Sequence, residues 1–301
     1  MISICIPVYN FEMTRLVQDL HKQADALDSE TEILLLDDAS SLSYKEQNRK
    51  LVSLSRVRYE ELETNVGRSK IRNLLSKKAS HPFLLFMDCD SQVPDKHYLE
   101  RYLQQLDPGR EAIIYGGRTY AAEPDRTENR LHWLFGSKRE VKTAETRKQH
   151  PYQSFMSNNF LIPKTILSEN PFNEQLSGYG HEDTLMGYEL KKKQLPIIHI
   201  DNPLMHIGLE TAEEFLHKNE EGLKNLLKII VFLHYDEVFI KMVKVLRSCK
   251  MLERLYLKKP FVLVFNLFEK RIRRALMSAT PKLWQLDVYK LGKLCQFSQK
   301  A

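Results

Sequence analysis

Phe83-Leu84-Leu85-Phe86-Met87-Asp88-Cys89-Asp90 is a run of five apolar residues that ends in two carboxylates one residue apart. An apolar run this short, with a helix-like stretch before it, suits a buried strand. Ser91-Gln92-Val93-Pro94 follows and reads as a loop. In an open α/β sheet, ligands sit beyond the carboxyl ends of the strands. Two acids at such an end repel each other unless a cation lies between them. A hard divalent ion, held by oxygen and shared with substrate phosphates, meets that need. The plainer reading is a strand followed by a solvated polar turn. Asp-x-Asp alone does not choose between the two, because the tripeptide is common.

The chain on either side of this stretch does choose. Residues 2–6 form an apolar, β-branched strand closed by Pro7-Val8-Tyr9-Asn10. A helix is expected over 12–27, with Leu16, Leu20 and Leu27 on one face. Residues 31–36 give a second strand, ending in Asp37-Asp38-Ala39-Ser40, and 44–54 a second helix. A shorter strand over 57–62 precedes the turn Asn65-Val66-Gly67, which opens a helix over 68–78. After Asp90 come a helix over 96–106 and a strand over 112–115. Strands alternating with helices mean βαβ units and a mostly parallel sheet flanked by helices. Tyr9-Asn10, Asp37-Asp38 and Asp88-x-Asp90 then line one edge of that sheet. Their convergence is more specific than any of them alone. No Gly-x-Gly-x-x-Gly follows the first strand and no Walker sequence occurs. The layout therefore binds nucleotide without a glycine loop for the phosphates, and a metal on Asp88 and Asp90 is the substitute.

Further along, a helix is expected over 128–135, and the charged stretch 138–152 reads as a mobile loop over the site, too polar for core. Residues 157–163 return to a strand. Gly178-Tyr179-Gly180-His181-Glu182-Asp183 leads into a helix whose first turn carries two acids. Plain N-terminal capping would explain acids there. A strand is expected over 195–200, and Pro203-Leu204-Met205-His206 ends another short apolar run, with His206 in a loop beyond a strand, where it is either structural or completes a metal shell. From Thr211 onward the chain reads as helical. This divides it into an α/β domain over 1–210, with a nucleotide-binding half (1–116) and a second half (117–210), and a basic, amphipathic helical extension over 211–301.

A hydrophobic fraction of 43% is enough for a proper core in a chain of 301 residues. The four cysteines, Cys5, Cys89, Cys249 and Cys295, lack Cys-x-x-Cys spacing, which points to a reducing compartment with neither a disulfide frame nor a zinc site. The start, Met1-Ile2-Ser3-Ile4, has no basic region of a leader, and no apolar stretch is long enough to span a bilayer. The charge is uneven. Residues 241–301 hold fifteen basic and three acidic side chains, a net +12, which leaves −6 for 1–240. Pro260–Phe268 is apolar and is followed by Lys270-Arg271-Ile272-Arg273-Arg274, the pattern of an interfacial segment meeting an anionic membrane surface. A helical hairpin with a solvated basic face is the alternative. Basic residues interleaved with Leu, Ile, Val and Phe do not suit a nucleic-acid groove. The sequence sets no oligomeric state.

Taken together, Ile6-Pro7-Val8-Tyr9-Asn10, Asp37-Asp38-Ala39-Ser40, Asn65-x-Gly67-Arg68-x-x-x-Arg72-Asn73, Asp88-x-Asp90 and Gly178-x-Gly180-x-Glu182-Asp183 resemble, in order, the landmarks of the family 2 glycosyltransferases of the GT-A fold. The resemblance covers about residues 1–210, and the last motif is similar to that of galactosyl- and chondroitin-type transferases, which implies a UDP-sugar donor. It implies that Tyr9 stacks on the uracil in a pocket shaped by Pro7 and Asn10, that Asp38 with Asp37 hydrogen-bonds the base, and that Arg68 and Arg72 contact the nucleotide or the helix beside it. Asp88 would touch the ribose or bind the metal through water. Asp90 would ligate Mn²⁺ or Mg²⁺, with His206 as a further ligand. An imidazole favours Mn²⁺ somewhat. His181 and Tyr179 would face the acceptor.

The chemistry agrees with this picture. Transfer of a sugar needs leaving-group stabilisation by a metal and a carboxylate to take the acceptor proton. Asp183 is assigned as that base and, at a helix start, is expected to stay ionised at neutral pH. Glu182 is assigned to the acceptor or to orienting the loop. One base without an opposing nucleophile implies a single displacement with inversion. The acceptor would be a glycan or lipid-linked hydroxyl in polysaccharide biosynthesis for the cell envelope, with the protein cytoplasmic and peripheral on the inner membrane. Two rivals stand beside this reading. A sugar-nucleotide nucleotidyltransferase would want a Gly-rich basic loop after the first strand, which Pro7-Val8-Tyr9-Asn10 is not. A weakly catalytic scaffold is disfavoured by the intact Asp88, Asp90, Asp183 and His206.

Overall fold

A computed structural model describes residues 1–27, 30–107, 109, 111–176 and 178–300. The chain separates into two compact units. The first comprises Met1–Tyr120, Val141–Gln175 and Glu182–Gly208. The second comprises Ala121–Glu140, Leu176–His181 and the chain from Leu209 on.

The first unit is built on ten strands: β1 (Ile2–Val8), β2 (Thr31–Asp37), β3 (Val57–Glu61), β4 (Phe83–Met87), β5 (Ser91–Gln92), β6 (Ile113–Tyr115), β7 (Arg118–Tyr120), β8 (Asn159–Pro163), β9 (Ile197–His199) and β10 (Leu204–His206). Seven form one sheet in the order β3-β2-β1-β4-β8-β6-β9. All of its neighbouring pairs are parallel except those made by β8, which runs antiparallel to both β4 and β6. Ile2 of β1 is level with Thr31 of β2 and Phe83 of β4, so the polar strand ends fall at one edge as the sequence implies. Side chains alternate across the sheet. Ile4, Ile6, Leu85 and Met87 pack on the face that carries helix Thr14–Ala26. Cys5, Leu34, Leu84 and Phe86 pack on the other, with helices Arg68–Lys78 and Glu182–Lys192. Phe86 is fully buried and stacks on Phe160 at 5.1 Å. Truncating such a ring costs about 3–5 kcal/mol.

A second, three-stranded sheet was not foreseen. Ser91-Gln92, expected in a loop, is strand β5, and it pairs with β10, which pairs in turn with β7. The stretch expected as a mobile loop is also different. Gly136–Glu140 and Ala144–Lys148 are helical, and Arg147 is buried. Its guanidinium donates to the carbonyls of Gly116, at 3.2 Å, Ile200, at 2.6 Å, and Lys142. A cage of strand-end carbonyls makes burial of this charge tolerable, and Gly117 (φ 96°) leaves room for it, since a Cβ there would lie 2.4 Å from Arg147 Nη1.

The second unit is helical over Ala212–Phe232, Glu237–Met242, Lys244–Arg254, Lys258–Leu276 and Leu283–Lys300. Its first helix starts at a capping box formed by Thr211 and Glu214. The last two pack closely at Gly292, where a Cβ would lie 2.4 Å from the Phe265 ring. The four cysteines are free, with the Cys249 and Cys295 sulfurs 3.3 Å apart.

Candidate active site

The strand-end carboxylates do not stand alone. Asp88, just past β4, accepts from the Arg72 guanidinium at 2.8 Å. Arg72 comes from helix Arg68–Lys78, is itself buried, lies 5.7 Å from the centre of the Phe172 ring and also donates to the Arg68 carbonyl at 3.0 Å. Arg68, one turn earlier on that helix, is part-exposed and donates from Nε to Glu182 at 2.6 Å. Arg72 lies 3.8 Å from the same Glu182 oxygen. The two arginines thus join the acid at the end of β4 to the acid that opens helix Glu182–Lys192. Burial alone would push the Glu182 carboxyl up, but the charges of Arg68 and Arg72 outweigh it and hold the group down, at about 2.

Asp183 differs from its neighbour. Among the described residues its carboxylate accepts only locally, from the Thr184 N–H at 2.6 Å and the Thr184 hydroxyl at 3.3 Å. Burial and the nearby charge of Glu182 push it up to about 6. This corrects the expectation from the helix start: desolvation and a like charge exceed the favourable dipole, so Asp183 is mostly ionised at pH 7 but titrates close below it.

Asp90 is placed by the unforeseen sheet. His206 closes β10 beside Ser91 of β5, and Ile207 N–H donates to the Asp90 carbonyl at 2.9 Å. Gly208 allows the close approach, because a Cβ there would lie 2.7 Å from Asp90 Cβ and Oδ2. Asp90 Oδ1 is 3.3 Å from His206 Nδ1, yet this oxygen is buried and makes no hydrogen bond among the described residues. Burial would raise the Asp90 carboxyl, but His206, Arg118 and Arg68 hold it far below the usual carboxylate range. An anionic oxygen with no other partner among the described residues, 3.3 Å from an imidazole nitrogen that Arg118 also approaches, offers two adjacent donors to one divalent cation. The donor set therefore fits Mn²⁺ or Mg²⁺, although no cluster of three metal-ligating side chains exists among the described residues. Asp88 is not part of that pair. Arg72 takes one of its oxygens, and the other faces Arg68 at 3.8 Å and Arg118 at 3.9 Å.

Arg118 was missed by the sequence. On β7 it lies 3.0 Å from His206 Nδ1 and over the Tyr120 ring, which meets His206 edge-on at 5.3 Å. A three-residue strand gives too little periodicity to announce it.

Beyond the end of β1, Tyr9 is 53% exposed, next to Asn10 in a left-handed conformation (φ 48°). Asn10 links the loops by accepting from Ser41 N–H at 2.9 Å and donating its own N–H to Ser40 Oγ at 2.8 Å. Asp37 and Asp38 are buried and serve the fold. Asp37 accepts from Ser40 N–H and the Tyr59 hydroxyl, and Asp38 from the Val66 and Gly67 N–H groups. These bonds fix both carboxylates at the ends of the strands, and each oxygen keeps a lone pair for a further donor. A cavity of about 320 Å³ lined by Asn10, Phe11, Tyr44, Ser91, Gln92 and Ile207 adjoins the residues that follow Asp90 and His206. A larger cleft of about 950 Å³, around Asn73, Phe172 and Lys192, touches none of the four acids.

Tyr179 and His181 belong to the helical unit. Gly178, Gly180 and His181 are left-handed there, and Asn225 donates to the Tyr179 and Gly180 carbonyls at 3.2 Å. Lys218 lies over the Tyr179 ring at 5.0 Å.

The sequence profile of glycosyl transferase family 2 matches residues 3–169, more than half of the chain. The chain belongs to glycosyl transferase family 2. It is accordingly a glycosyltransferase. A search of curated protein sequences gave no match. Among solved structures, this glycosyltransferase is similar to S. aureus TarS 1-349, with 19% identity over 99% of this chain and 91% of that one and a TM-score of 0.52. It is also similar to the mannosyltransferase PcManGT of Pyrobaculum calidifontis, solved with GDP-Man and Mn²⁺, with 11% identity over 99% and 87% of the chains and a TM-score of 0.57. Glucosyl-3-phosphoglycerate synthase of Mycobacterium tuberculosis, solved with Mn²⁺, UDP and glucosyl-3-phosphoglycerate, matches with 14% identity over 76% and 79% of the chains and a TM-score of 0.50. At these identities the likeness establishes the GT-A fold.

Proposed function

We propose that this glycosyltransferase moves a hexose or N-acetylhexosamine from a UDP-sugar to a hydroxyl of a glycan or lipid-linked acceptor, by one displacement with inversion. The observation that carries this reading is the linked pair of sites. Asp90 and His206 lie 3.3 Å apart, as a pair that would hold a cation, and Glu182–Asp183 form an acid pair whose members are driven apart in pKa, with Arg68, Arg72 and Asp88 running between them. Acids pushed apart by their surroundings mark a division of roles. The TarS complex with UDP-GlcNAc and the M. tuberculosis synthase complexes with UDP support a uridine donor, and the GDP-Man complex of PcManGT keeps the base open to test.

Asp90 and His206 would hold Mn²⁺ or Mg²⁺. When bound, the ion neutralises charge on a departing diphosphate. The chain's own groups do the rest. The exposed Tyr9 ring stacks on the base, in a wall shaped by Pro7, Asn10, Asp37 and Asp38. Arg68, part-exposed, faces the donor, while buried Arg72 fixes Asp88. Asp183 accepts the acceptor's hydroxyl proton, and Glu182, kept ionised by Arg68 and Arg72, orients the loop. Tyr179 and His181 face the acceptor. In this reading residues 1–116 bind the donor, 117–210 the acceptor, and 211–301 form an extension; the enzyme serves polysaccharide biosynthesis for the cell envelope from the cytoplasmic side.

A panel of UDP-, GDP- and dTDP-sugars, followed by nucleotide release with and without Mn²⁺ or Mg²⁺, tests this. Slow release of UDP from one UDP-sugar, only with metal, is the expected result. Release of pyrophosphate would replace the reading with nucleotidyl transfer, and a product retaining the donor's anomeric configuration by NMR would refute inversion.

A further inference from the structure

The helical unit has an apolar edge that its own packing leaves open. Among the described residues, most exposed large apolar side chains lie between 231 and 268. Two turns gather them. The turn after helix Ala212–Phe232 places His234 and Tyr235 in left-handed conformations (φ 49° and 59°), with Tyr235 60% exposed. The turn between helices Lys244–Arg254 and Lys258–Leu276 is Leu255-Tyr256-Leu257, with Tyr256 left-handed (φ 60°) and 90% exposed. Left-handed backbone is unfavourable for a non-glycine residue, and here it holds aromatic rings in water. Both turns lie at one end of the unit, because Glu237 accepts from Lys250 and is 3.6 Å from Arg254, the residue before the second turn.

Helix Lys258–Leu276 extends the edge. Val262, Phe265 and Leu276 are buried, while Leu263, Val264, Leu267 and Phe268 are exposed on the opposite side. Lys259 precedes that apolar stretch on the outward face, and Lys270, Arg271 and Arg274 follow it. None of the four forms an ion pair among the described residues, unlike Lys258 with Glu253 and Arg273 with Glu213. Apolar side chains flanked by uncompensated cations need a partner that is apolar within and anionic at its surface. A second copy of the chain does not fit, since a two-fold contact would set each cation row against its like. Among the described residues, no helix is long and apolar enough to cross a membrane.

We propose that this edge, the turns at Tyr235 and Tyr256 with the outer face of helix Lys258–Leu276, docks on an anionic phospholipid surface. The rings and leucines enter the headgroup boundary while the cations meet lipid phosphates. The docking uses none of the catalytic acids, so it stands or falls apart from the transferase chemistry.

Flotation of the full chain with phosphatidylcholine vesicles, with and without about 30% phosphatidylglycerol, tests it. Binding is expected about tenfold or more tighter to the anionic vesicles, and weaker in about 0.5 M salt. Leu263→Gln with Leu267→Gln, and separately Arg271→Glu with Arg274→Glu, should each weaken it about tenfold or more. Both pairs of positions face solvent, and unchanged melting and unchanged nucleotide release in solution confirm that each variant is folded. Equal binding by wild type and variants, no preference for anionic vesicles, or indifference to salt would each overturn the proposal. So would a dimer in sedimentation that the leucine variant dissolves, which would assign the edge to a second copy.

Discussion

The two acid pairs of the site have similar sequences and opposite electrostatics. In each, one member is taken by an arginine: Asp88 by Arg72, and Glu182 by Arg68. The member left over differs. Asp90 faces His206 with Arg118 close by and is held far down, whereas Asp183 has only Thr184 as a hydrogen-bond partner among the described residues, beside the charge of Glu182, and is pushed up to about 6. A carboxylate kept anionic among cations is suited to binding, and one that titrates near neutrality is suited to moving a proton. The same residue types are thus assigned different tasks by their neighbours.

Asp183→Asn should break the comparison most severely. Without a base, kcat is expected to fall about 10²–10⁴-fold, measured as nucleotide release in the presence of acceptor. Asp90→Ala or His206→Ala should act on the other pair, each removing a direct ligand and so weakening metal affinity by more than the about 10–100-fold that loss of an outer-shell partner costs, read by titrating metal at fixed donor.

The pH profile sharpens the contrast. Activity should rise through about pH 6 as Asp183 loses its proton and level off above it. Arg68 helps to hold Asp183 down, so Arg68→Gln should move that limb upward by roughly half to one pH unit. The smallest effect is on stability. The folded Asp183 carboxyl lies above its ordinary 3.8, so the native state holds the proton more tightly than the unfolded one. The resulting destabilisation is absent below about pH 4 and complete above about pH 6. Asp183→Asn should therefore raise the Tm by about 2–4 °C at pH 7.5, with a smaller gain at pH 5. A gain that did not depend on pH would place the cause outside this charge.

The strands, their common polar edge and both acid pairs were legible in the sequence because each is a local signal: an apolar run that stops at an acid, or acids opening a helix. Arg118 was not, because its place depends on β7 pairing with β10, which brings it to a histidine 88 residues away. Arg147 read as surface because charge implies exposure until carbonyls from strand ends enclose it. The internal partners of Asp37 and Asp38 were not legible either, since nothing in the residues themselves reveals the N–H groups they accept from. Asp183 was expected to be freely ionised because the helix start is visible in sequence, whereas the burial that opposes it is tertiary.

Donor binding and turnover, measured together in the same two variants, test the division of labour most directly. Calorimetric titration of the donor UDP-sugar with metal should give Asp183→Asn a Kd close to that of wild type with almost no nucleotide release, and Asp90→Ala a loss of metal-dependent binding itself. If Asp183→Asn lost binding as Asp90→Ala does, or if Asp90→Ala kept full metal-dependent affinity, the two acid pairs would not hold the separate roles assigned to them.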